Sequence, residues 1–341
     1  MADLKVHFLN VGRGDCTIIE FPSGRVGIVD IDNLKILDED TRSEILQEYH
    51  QSMEYLLAKA MGRSDYQLDE QYLKSQTLKL TDPLAYYDTH IGAYEGIFRF
   101  LITHPDMDHM TGLYRMHQQD LRKSIINFWH TGNHDFNLAE CSDQDWENSP
   151  YDKRDWDTYK KLREGNDGAK SLQHHQGARG NFWTEDGVEI WAPTPKLEKL
   201  TVEREESNIL SMVLKISYAG RYIVLGGDAT ADETWPEIDK TLKLGKIDVL
   251  KASHHGRKSG YYGPAVKKLA PWLTITSVGE AAHDATNNYR RYSEHTVSLR
   301  KSGDITIRVD ETGMLYYSPN IEENWKRKLI ESLQITNHHA L

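Results

Sequence analysis

Short apolar runs separated by polar turns mark the start of the chain. Residues 5–9, 16–21 and 26–29 are apolar runs of strand length, and tight-turn residues such as Pro22 and Gly24 lie between them. From about residue 34 to 87 the pattern changes to long, charged, helix-forming stretches. Apolar positions there recur at helical spacing, namely Leu46, Tyr49, Met53, Leu56 and Leu57. We therefore predict three short strands followed by a helical insertion.

The rest of the chain alternates between strand and helix patterns. Apolar runs predict strands at 97–102, 125–129, 188–191, 211–217, 222–225, 247–251, 273–278, 305–309 and 314–317. Helices are predicted at 110–121, around 159–163 and over the last twenty or so residues, and the polar segment 134–182 is predicted to be a long excursion. This alternation predicts an α/β protein.

Composition narrows the classes of partner and compartment. The chain has 41 basic and 52 acidic residues, a formal charge of −11, which argues against a large basic surface for long duplex DNA. Cys16 and Cys141 are the two cysteines, so no disulfide framework is expected. The N-terminus lacks the pattern of a signal peptide, and the apolar runs are too short to cross a bilayer. We expect a cytoplasmic protein that does not enter a membrane.

The segment Thr103-His104-Pro105-Asp106-Met107-Asp108-His109 carries the clearest chemical signal. It follows the apolar run at 97–102, so a strand leads directly into several side chains that bind metal. A rigid strand followed by a short loop can hold ligands around one point. Imidazole and carboxylate ligands together suit zinc, with manganese and iron next. The alternative is a polar surface turn that is rich in His and Asp.

Other polar groups also follow predicted strands closely. They are Asp30, Asp228 and the pair His254-His255. Loops at one end of the strands in layered α/β proteins commonly converge on the active site. We therefore expect these groups to meet the 104–109 cluster.

The order of these motifs resembles the metallo-β-lactamase fold superfamily, and within it the hydrolase domain of ComEC-type DNA-uptake proteins and their soluble relatives. The matching segments are 8–15 (FLNVGRGD), 103–109 (THPDMDH), 225–228 (LGGD), 248–256 (DVLKASHHG), 274–278 and 292–295 (YSEH). The resemblance implies a four-layer αββα sandwich over residues 1–320, with the helical insertion at 34–92 and a C-terminal helix at 321–341. The membrane channel of the uptake proteins has no counterpart here, so transport is not implied.

The resemblance also implies a pair of metal sites. His104 and Asp106 would face one metal, Asp108 and His109 a second, and Asp228 would bridge the two. His254 or His255 would close the second site, with His254 preferred because it lies nearer the strand end, and His255 left to donate a proton or contact substrate. Asp108 would orient the attacking hydroxide or accept its proton. Asp30 and Asp15 would support the ligands by hydrogen bonds, although a turn-capping role for Asp15 stays open.

The chain departs from the superfamily pattern at one ligand and lacks a clear counterpart for another. Asp106 stands where the superfamily usually has His, a substitution shared by the ComEC-like group. The middle His of the first metal site has no clear counterpart; His130 and His134 lie in about the right region, and a surface-loop role is the alternative. Candidates for contact with a substrate phosphate are Lys251, Arg257, His283 and His295.

These features predict a metal-dependent phosphodiesterase or nuclease that acts on nucleic acid or a nucleotide. Its cofactors would be two divalent metal ions, zinc first and manganese second, that hold a hydroxide between them. One alternative is a hydrolase of carboxylic esters, thioesters, lactones or lactams, since the same site can deliver hydroxide to a carbonyl. Another is a non-enzymatic binding protein that retains the fold.

Overall fold

The computed structural model describes residues 2–92, 96–118, 124–132, 141–279 and 283–320. The strands are β1 Leu4–Phe8, β2 Thr17–Glu20, β3 Val26–Val29, β4 Ile97–Leu101, β5 Ile125–His130, β6 Lys170–Gln173, β7 Val188–Ala192, β8 Val213–Tyr218, β9 Arg221–Leu225, β10 Val249–Lys251, β11 Leu273–Thr276, β12 His295–Ser298, β13 Ile305–Val309 and β14 Leu315–Pro319. The α-helices are α1 Glu39–His50, α2 Met53–Ala60, α3 Asp65–Thr77, α4 Pro83–Tyr86, α5 Leu113–Gln118, α6 Asp143–Asn148, α7 Lys153–Glu164, α8 Trp183–Asp186, α9 Pro195–Arg204, α10 Thr234–Thr241, α11 Gly263–Leu269, α12 Thr286–Tyr289 and α13 Leu299–Ser302.

The strands form two mixed sheets. The larger sheet has the order β14-β13-β1-β2-β3-β4-β5-β6, and the smaller has the order β12-β11-β10-β9-β8-β7. In each sheet one half is antiparallel and the other parallel. The parallel pairs are β3-β4, β4-β5 and β5-β6 in the larger sheet, and β9-β10, β10-β11 and β11-β12 in the smaller. Loops after the parallel strands therefore emerge at one edge of each sheet.

The two sheets pack face to face through one apolar core. Strands of the larger sheet contribute Val6, Phe8 and Leu101, and strands of the smaller sheet contribute Leu214 and Leu225, all of them buried. Burial of this shared face is the main favourable contribution to folding, because apolar area removed from water gives about 25 cal/mol per Å².

Helices cover the outer faces of both sheets. On the larger sheet, α5 and α7 bury Met116, Tyr159 and Leu162 against Phe100 and Phe128. On the smaller sheet, the buried side chains of α9, α10 and α11 form a third cluster with the strand residues. The predicted four-layer αββα sandwich is therefore confirmed.

The segment between β3 and β4 contains α1 to α4, followed by a π-helical turn at Tyr87–Ile91. Helices α1 to α3 pack mainly on one another, in two small apolar clusters. Polar contacts join this segment to the sheets: the Thr81 N–H donates to the Asn10 carbonyl at 2.8 Å, and Arg257 Nη1 lies 2.6 Å from Glu44 Oε1. The helical insertion therefore lies against the sandwich, beside the loop that follows β10.

Some elements differ from the sequence prediction. Strands β6 and β12 were missed, because four residues of mixed polarity do not give a clear strand pattern. The polar excursion contains α6 and α7, which begin at capping residues Ser142 and Asp152. The predicted C-terminal helix at 321–341 lies outside the described residues. Among the helices that the structure describes, none is long and apolar enough to span a bilayer.

Candidate metal centre

The loops after the parallel strands bring the predicted ligands together. The loop after β4 carries His104 and His109, the turn after β9 carries Asp228, and the turn after β10 carries His255. All four side chains are buried, with exposed fractions of 3% or less. Asp106 and Asp108 lie at the rim of the same cluster, with side chains 36% and 23% exposed. The centre is therefore enclosed on the protein side and open beside two carboxylates.

Asp228 lies at the middle of the cluster. Its Oδ1 is 3.3 Å from His109 Nε2, and its Oδ2 is 3.2 Å from His255 Nε2. The same Oδ2 is 4.0 Å from His104 Nε2 and 3.8 Å from His254 Nε2. At the rim, His104 Nε2 lies 3.4 Å from Asp106 Oδ2. A carboxylate surrounded by four imidazoles is suited to bridge two cations.

Two of the three buried imidazoles have a hydrogen-bond partner behind them at Nδ1, and the third faces a carboxylate there. His109 Nδ1 is 2.8 Å from Asp30 Oδ2, and His255 Nδ1 is 3.5 Å from Asp15 Oδ1. His104 Nδ1 lies within hydrogen-bond distance of the Thr103 and Ser211 hydroxyls, at 3.1 and 3.2 Å. A partner at Nδ1 fixes the ring and leaves Nε2 for a metal. The contact of Asp30 thus has the form predicted for a supporting group, whereas Asp15 faces His255 Nδ1 without a hydrogen bond.

Several atoms at the centre of the cluster have no hydrogen-bond partner. They include the Nε2 atoms of His104 and His109 and the Oδ1 atom of Asp228, all buried. Ligand atoms about 2.1 Å from a tetrahedral metal lie about 3.4 Å apart, close to the 3.2 to 3.4 Å separations seen among the neighbouring ligand atoms. Unpaired, converging nitrogen and oxygen atoms at this spacing fit bound metal.

The candidate ligands fall into overlapping groups. One contains His104, His109 and Asp228, a second Asp108, His109 and His255, and a third Asp15, Asp228 and His255; within each group the ligand atoms lie within 4.8 Å of one another. Because His109 and Asp228 belong to more than one group, the groups define neighbouring candidate positions for metal ions rather than a single one.

Electrostatics in the cluster favour its charged forms. Burial raises the pKa of Asp228, but the His255 and His109 imidazoles reverse this and hold it well below its usual range. Burial lowers the pKa of His109 and His255, and the facing carboxylates, Asp228 first among them, raise both well above the usual value. The carboxylates thus surround a region of positive charge. Protonated imidazole rings supply this charge when no metal is bound, and a metal ion that displaced the ring protons would supply it instead.

His255 lies deeper in the cluster than His254, contrary to the order expected from the sequence. We expected His254, nearer the strand end, to be the metal ligand, on the assumption of an extended segment. Both residues have left-handed backbone instead, with φ of 49° and 59°. This backbone directs His255 into the buried cluster, whereas His254 lies at its edge with a side chain 20% exposed. Its Nδ1 lies 3.0 Å from the Ser259 hydroxyl.

The cations predicted to contact a substrate phosphate have protein partners. Lys251 is 3% exposed, and its ammonium donates to Asp15 Oδ1 at 2.6 Å and to the Ser277 hydroxyl at 2.9 Å. Arg257 Nη1 lies 2.6 Å from both Glu44 Oε1 and Asp284 Oδ1. Both cations therefore hold the scaffold together, because their charges are already neutralised by carboxylates.

The two histidines predicted to contact substrate lie apart from the buried cluster. His283 has a side chain 74% exposed, and its Nε2 is 3.8 Å from Glu44. His295 begins β12 and pairs in register with Leu273, the first residue of β11. It therefore lies at the end of these strands opposite the metal centre, and its ring packs against Trp272.

His130, one of the two candidates for the missing middle histidine, is not in the cluster. Both ring nitrogens of His130 have other partners, the Ser171 hydroxyl and the Gly132 N–H, at 3.0 and 3.1 Å. Burial lowers the pKa of His130 to about 4, so this ring is neutral near pH 7. His134 lies outside the described residues.

Asp32, Ser211 and Ser277 lie at the site but were not among the residues predicted from the sequence. Asp32 is buried beside Asp108, and burial, with the Asp108 charge, raises its pKa to about 7. A signal for Asp32 was present, because it follows the same strand as Asp30 at a spacing of two. Ser211 donates to or accepts from His104 and accepts from the Asp228 N–H at 3.0 Å, and no local pattern marks such a residue. Gly14 packs so closely against Asp32 and the Asp108 carbonyl that no side chain would fit there.

A cleft of 260 Å³ opens beside the two rim carboxylates. Its other walls come from Met107 and from the segment around α6, which contributes a third carboxylate, two aromatic rings and two smaller residues: Asp145, Trp146, Tyr151, Cys141 and Ser149. No Lys or Arg is among its described lining residues. The cleft combines an acidic, metal-facing end with an aromatic wall.

Comparisons with known proteins give likenesses of fold. No protein family and no curated protein matches the sequence. Among solved structures, a variant of the CmlA β-hydroxylase aligns over 90% of this chain and 54% of its own, with a TM-score of 0.44 and 13% identity. CmlA, a diiron β-hydroxylase from Streptomyces venezuelae, aligns over the same shares, 90% and 54%, with a TM-score of 0.43 and 12% identity.

A third solved structure is the metallo-β-lactamase fold protein YhfI from Bacillus subtilis. It aligns over 86% of this chain and 95% of its own, with a TM-score of 0.39 and 8% identity. The present chain spans about half the length of the CmlA chains. No conclusion about the present chain follows from likenesses with TM-scores below 0.5 and identities of 8 to 13%, so the chemistry of the site rests on its own side chains.

Proposed function

We propose that this protein is a metal-dependent hydrolase with a dinuclear centre, and that its substrate is a small phosphodiester such as a nucleotide derivative. We also propose that the chain belongs to the metallo-β-lactamase superfamily, near the soluble relatives of the ComEC-type proteins, on the strength of the motifs at 103–109, 225–228 and 248–256.

The observation that carries the proposal is the overlap of ligand groups around Asp228. His104, Asp106 and Asp228 would hold one cation, and Asp108, His109 and His255 the other. His254 Nε2 is 3.8 Å from the bridging Oδ2, so we assign it to the first position, where the middle histidine is missing. A pair of divalent cations, zinc first and manganese second, would activate water and neutralise charge on a phosphoryl group.

The protein's own groups provide the rest of the chemistry. Asp30 and Asp15 hold the His109 and His255 rings in place. Asp108, partly exposed at the rim, is placed to orient the attacking water and accept its proton. His255 is buried among carboxylates, so we assign it as a metal ligand. The role of proton donor, which the sequence had suggested for His255, is then assigned to no residue.

The cleft supports a small substrate. Ligand pockets commonly occupy 300–1,000 Å³, so 260 Å³ suits one nucleoside or aryl group rather than a length of polymer. Trp146 and Tyr151 offer a stacking surface for such a ring. A formal charge of −11 and the absence of Lys and Arg from the described lining also disfavour a polynucleotide backbone.

The test is phosphodiester hydrolysis by purified protein loaded with Zn²⁺ or Mn²⁺. We expect cleavage of bis-p-nitrophenyl phosphate and bound metal close to two equivalents per chain. Asp108→Ala with His109→Ala should abolish cleavage and lower bound metal to about one equivalent, because His104, Asp106 and Asp228 remain, whereas Asp143→Ala, an exposed carboxylate on α6, should leave both unchanged. Absence of bound metal from the wild-type protein would instead support a binding protein that retains the fold.

A second candidate is hydrolysis of carboxylic esters, thioesters, lactones or lactams. The cleft favours it in one respect, since an uncharged carbonyl substrate needs no Lys or Arg and the described lining has neither. The same metal-loaded preparation should be assayed with p-nitrophenyl acetate and a lactam. Turnover of these substrates without phosphodiester cleavage would replace the first proposal with the second.

A further inference from the structure

A second cavity, of 500 Å³, lies along β4, β5 and β6. The segment before α8 closes it on one side, through Arg179, Phe182 and neighbouring residues. The cavity shares no residue with the metal centre, which lies beyond the last residues of the parallel strands. It is larger than the cleft beside the metal centre and falls within the usual range for ligand pockets.

The charged side chains that line this cavity are all basic. Arg99, Lys170 and Arg179 contribute to the lining, and no Asp or Glu does so among the described residues. Lys170 and Arg179 are exposed and have no ion-pair partner in the described part of the chain. In a protein with a formal charge of −11, unpaired cations that converge on one cavity favour an anionic ligand.

Arg99 places a buried, partly unpaired guanidinium at this cavity. It is 4% exposed, and its Nη1 donates to Asp186. Its Nη2, although buried, has no hydrogen-bond partner. A buried donor without an acceptor carries an energetic cost. An acceptor oxygen on a bound ligand would remove that cost.

Aromatic side chains form much of the remaining wall. Trp129 and Trp183 stack with ring centroids 4.8 Å apart, and Phe98 and Phe182 meet edge to face at 5.8 Å. Phe182 is 48% exposed and has a φ of 66°, an unusual conformation for a bulky residue. The cavity therefore presents flat apolar surfaces next to its cations.

His174 adds an uncharged polar atom to the same wall. Its ring meets Trp129 and Trp183 edge to face, with centroids 4.5 and 4.9 Å apart. Its buried Nε2 has no hydrogen-bond partner. Burial lowers the pKa of His174 to about 4, so the ring is neutral near pH 7 and can donate or accept one hydrogen bond.

We propose that this cavity is a second binding site, separate from the metal centre, for a planar aromatic ring that carries a phosphate or carboxylate group. The ring stacks against the Trp and Phe side chains, and the anion lies between Lys170 and Arg179 and accepts from Arg99. The site binds its ligand without a metal ion.

Calorimetric titration of EDTA-treated protein tests the proposal. Adenosine 5′-monophosphate and 2-naphthoate are the two anionic probes, and their relative affinities distinguish a phosphate from a carboxylate ligand. Adenosine, which lacks the anion, and inorganic phosphate, which lacks the ring, should each bind at least tenfold more weakly than the monophosphate. Failure of both anionic probes to bind at millimolar concentration would overturn the proposal.

Variants locate the binding. Lys170→Glu with Arg179→Glu changes exposed residues, so the fold should persist, and we expect affinity for the anionic probes to fall at least tenfold. Phe182→Ala should weaken binding of the ring-bearing probes alone. Lys267→Glu reverses one charge on α11, across the smaller sheet, and should have no effect. Equal affinity in the wild-type protein and the double variant would show that the ligand binds elsewhere.

Discussion

At the scale of single residues, Asp30 links the ends of two strands to a metal ligand. Its carboxylate accepts from the Thr103 N–H at 2.7 Å and the Thr103 hydroxyl at 2.8 Å, and it contacts His109 Nδ1 at 2.8 Å. With φ at 57°, the backbone of Asp30 is itself left-handed. One side chain thus sets both the path of the loop after β4 and the orientation of an imidazole.

We predict that Asp30→Asn weakens zinc binding about 10- to 100-fold. The amide oxygen can still accept from Thr103, but an amide has no second acceptor with which to hold the His109 N–H. Zinc affinity is measured by competition with a chromophoric chelator. Asp248→Asn is the matched control: Asp248 is also buried and accepts from Arg221 and the Tyr222 N–H, but at the opposite end of β10. Equal loss of affinity in both variants would contradict a specific role for Asp30.

Single residues also show how far the sequence could predict the site. The 104–109 cluster and Asp228 were recognisable because strong ligands directly follow apolar strands. The roles of Lys251 and Arg257 were not, because Asp15 and Glu44 are more than 200 positions away in the chain. The exchange of His254 for His255 in the buried cluster depends on two successive positive φ angles, which no residue-type pattern indicates.

At the scale of elements, α1 is attached to the sandwich largely through charge. Glu44 pairs with Arg257 as described above, and Arg300 Nη2 lies 2.5 Å from Glu48 Oε1. The helical pattern of this segment was visible in the sequence as spaced apolar residues. Its attachment was not, because ion pairs between distant segments leave no periodic signal.

We predict that Glu44→Gln with Glu48→Gln loosens α1 to α3 without unfolding the sheets. Loss of the charge-assisted contacts lowers the free energy of local opening by about 2 kcal/mol, or roughly 30-fold in rate of amide exchange. Hydrogen exchange followed by mass spectrometry measures this segment by segment. Glu54→Gln, an exposed change on α2, serves as the control. Faster exchange spread evenly through the strands would contradict the prediction.

At the scale of the whole molecule, the candidate metal centre lies between the two sheets. Its ligands come from β4 of the larger sheet and from β9 and β10 of the smaller sheet. The layered architecture was predictable, because strand and helix patterns alternate and the motifs follow the superfamily order. The edge strands β6 and β12 were not, since short strands at a sheet border need little apolar patterning.

We predict that metal stabilises the entire sandwich. Zinc at 100 times its dissociation constant should raise the free energy of unfolding by about 2.7 kcal/mol, with a rise in Tm on the order of 5 °C. Thermal unfolding in EDTA and in zinc measures the difference. His104→Ala with His109→Ala should abolish the response to zinc, and a response retained in this variant would place the stabilising metal elsewhere.

The division of ligands between sheets has a consequence for biosynthesis. A ribosome makes the 104–109 segment long before Asp228 and His255, and β13, which pairs with β1, comes later still. A nascent chain that stops short of residue 228 has only the rim carboxylates and the first two imidazoles. Metal can therefore be captured in full only after the later strands have docked, so metal loading marks the end of folding.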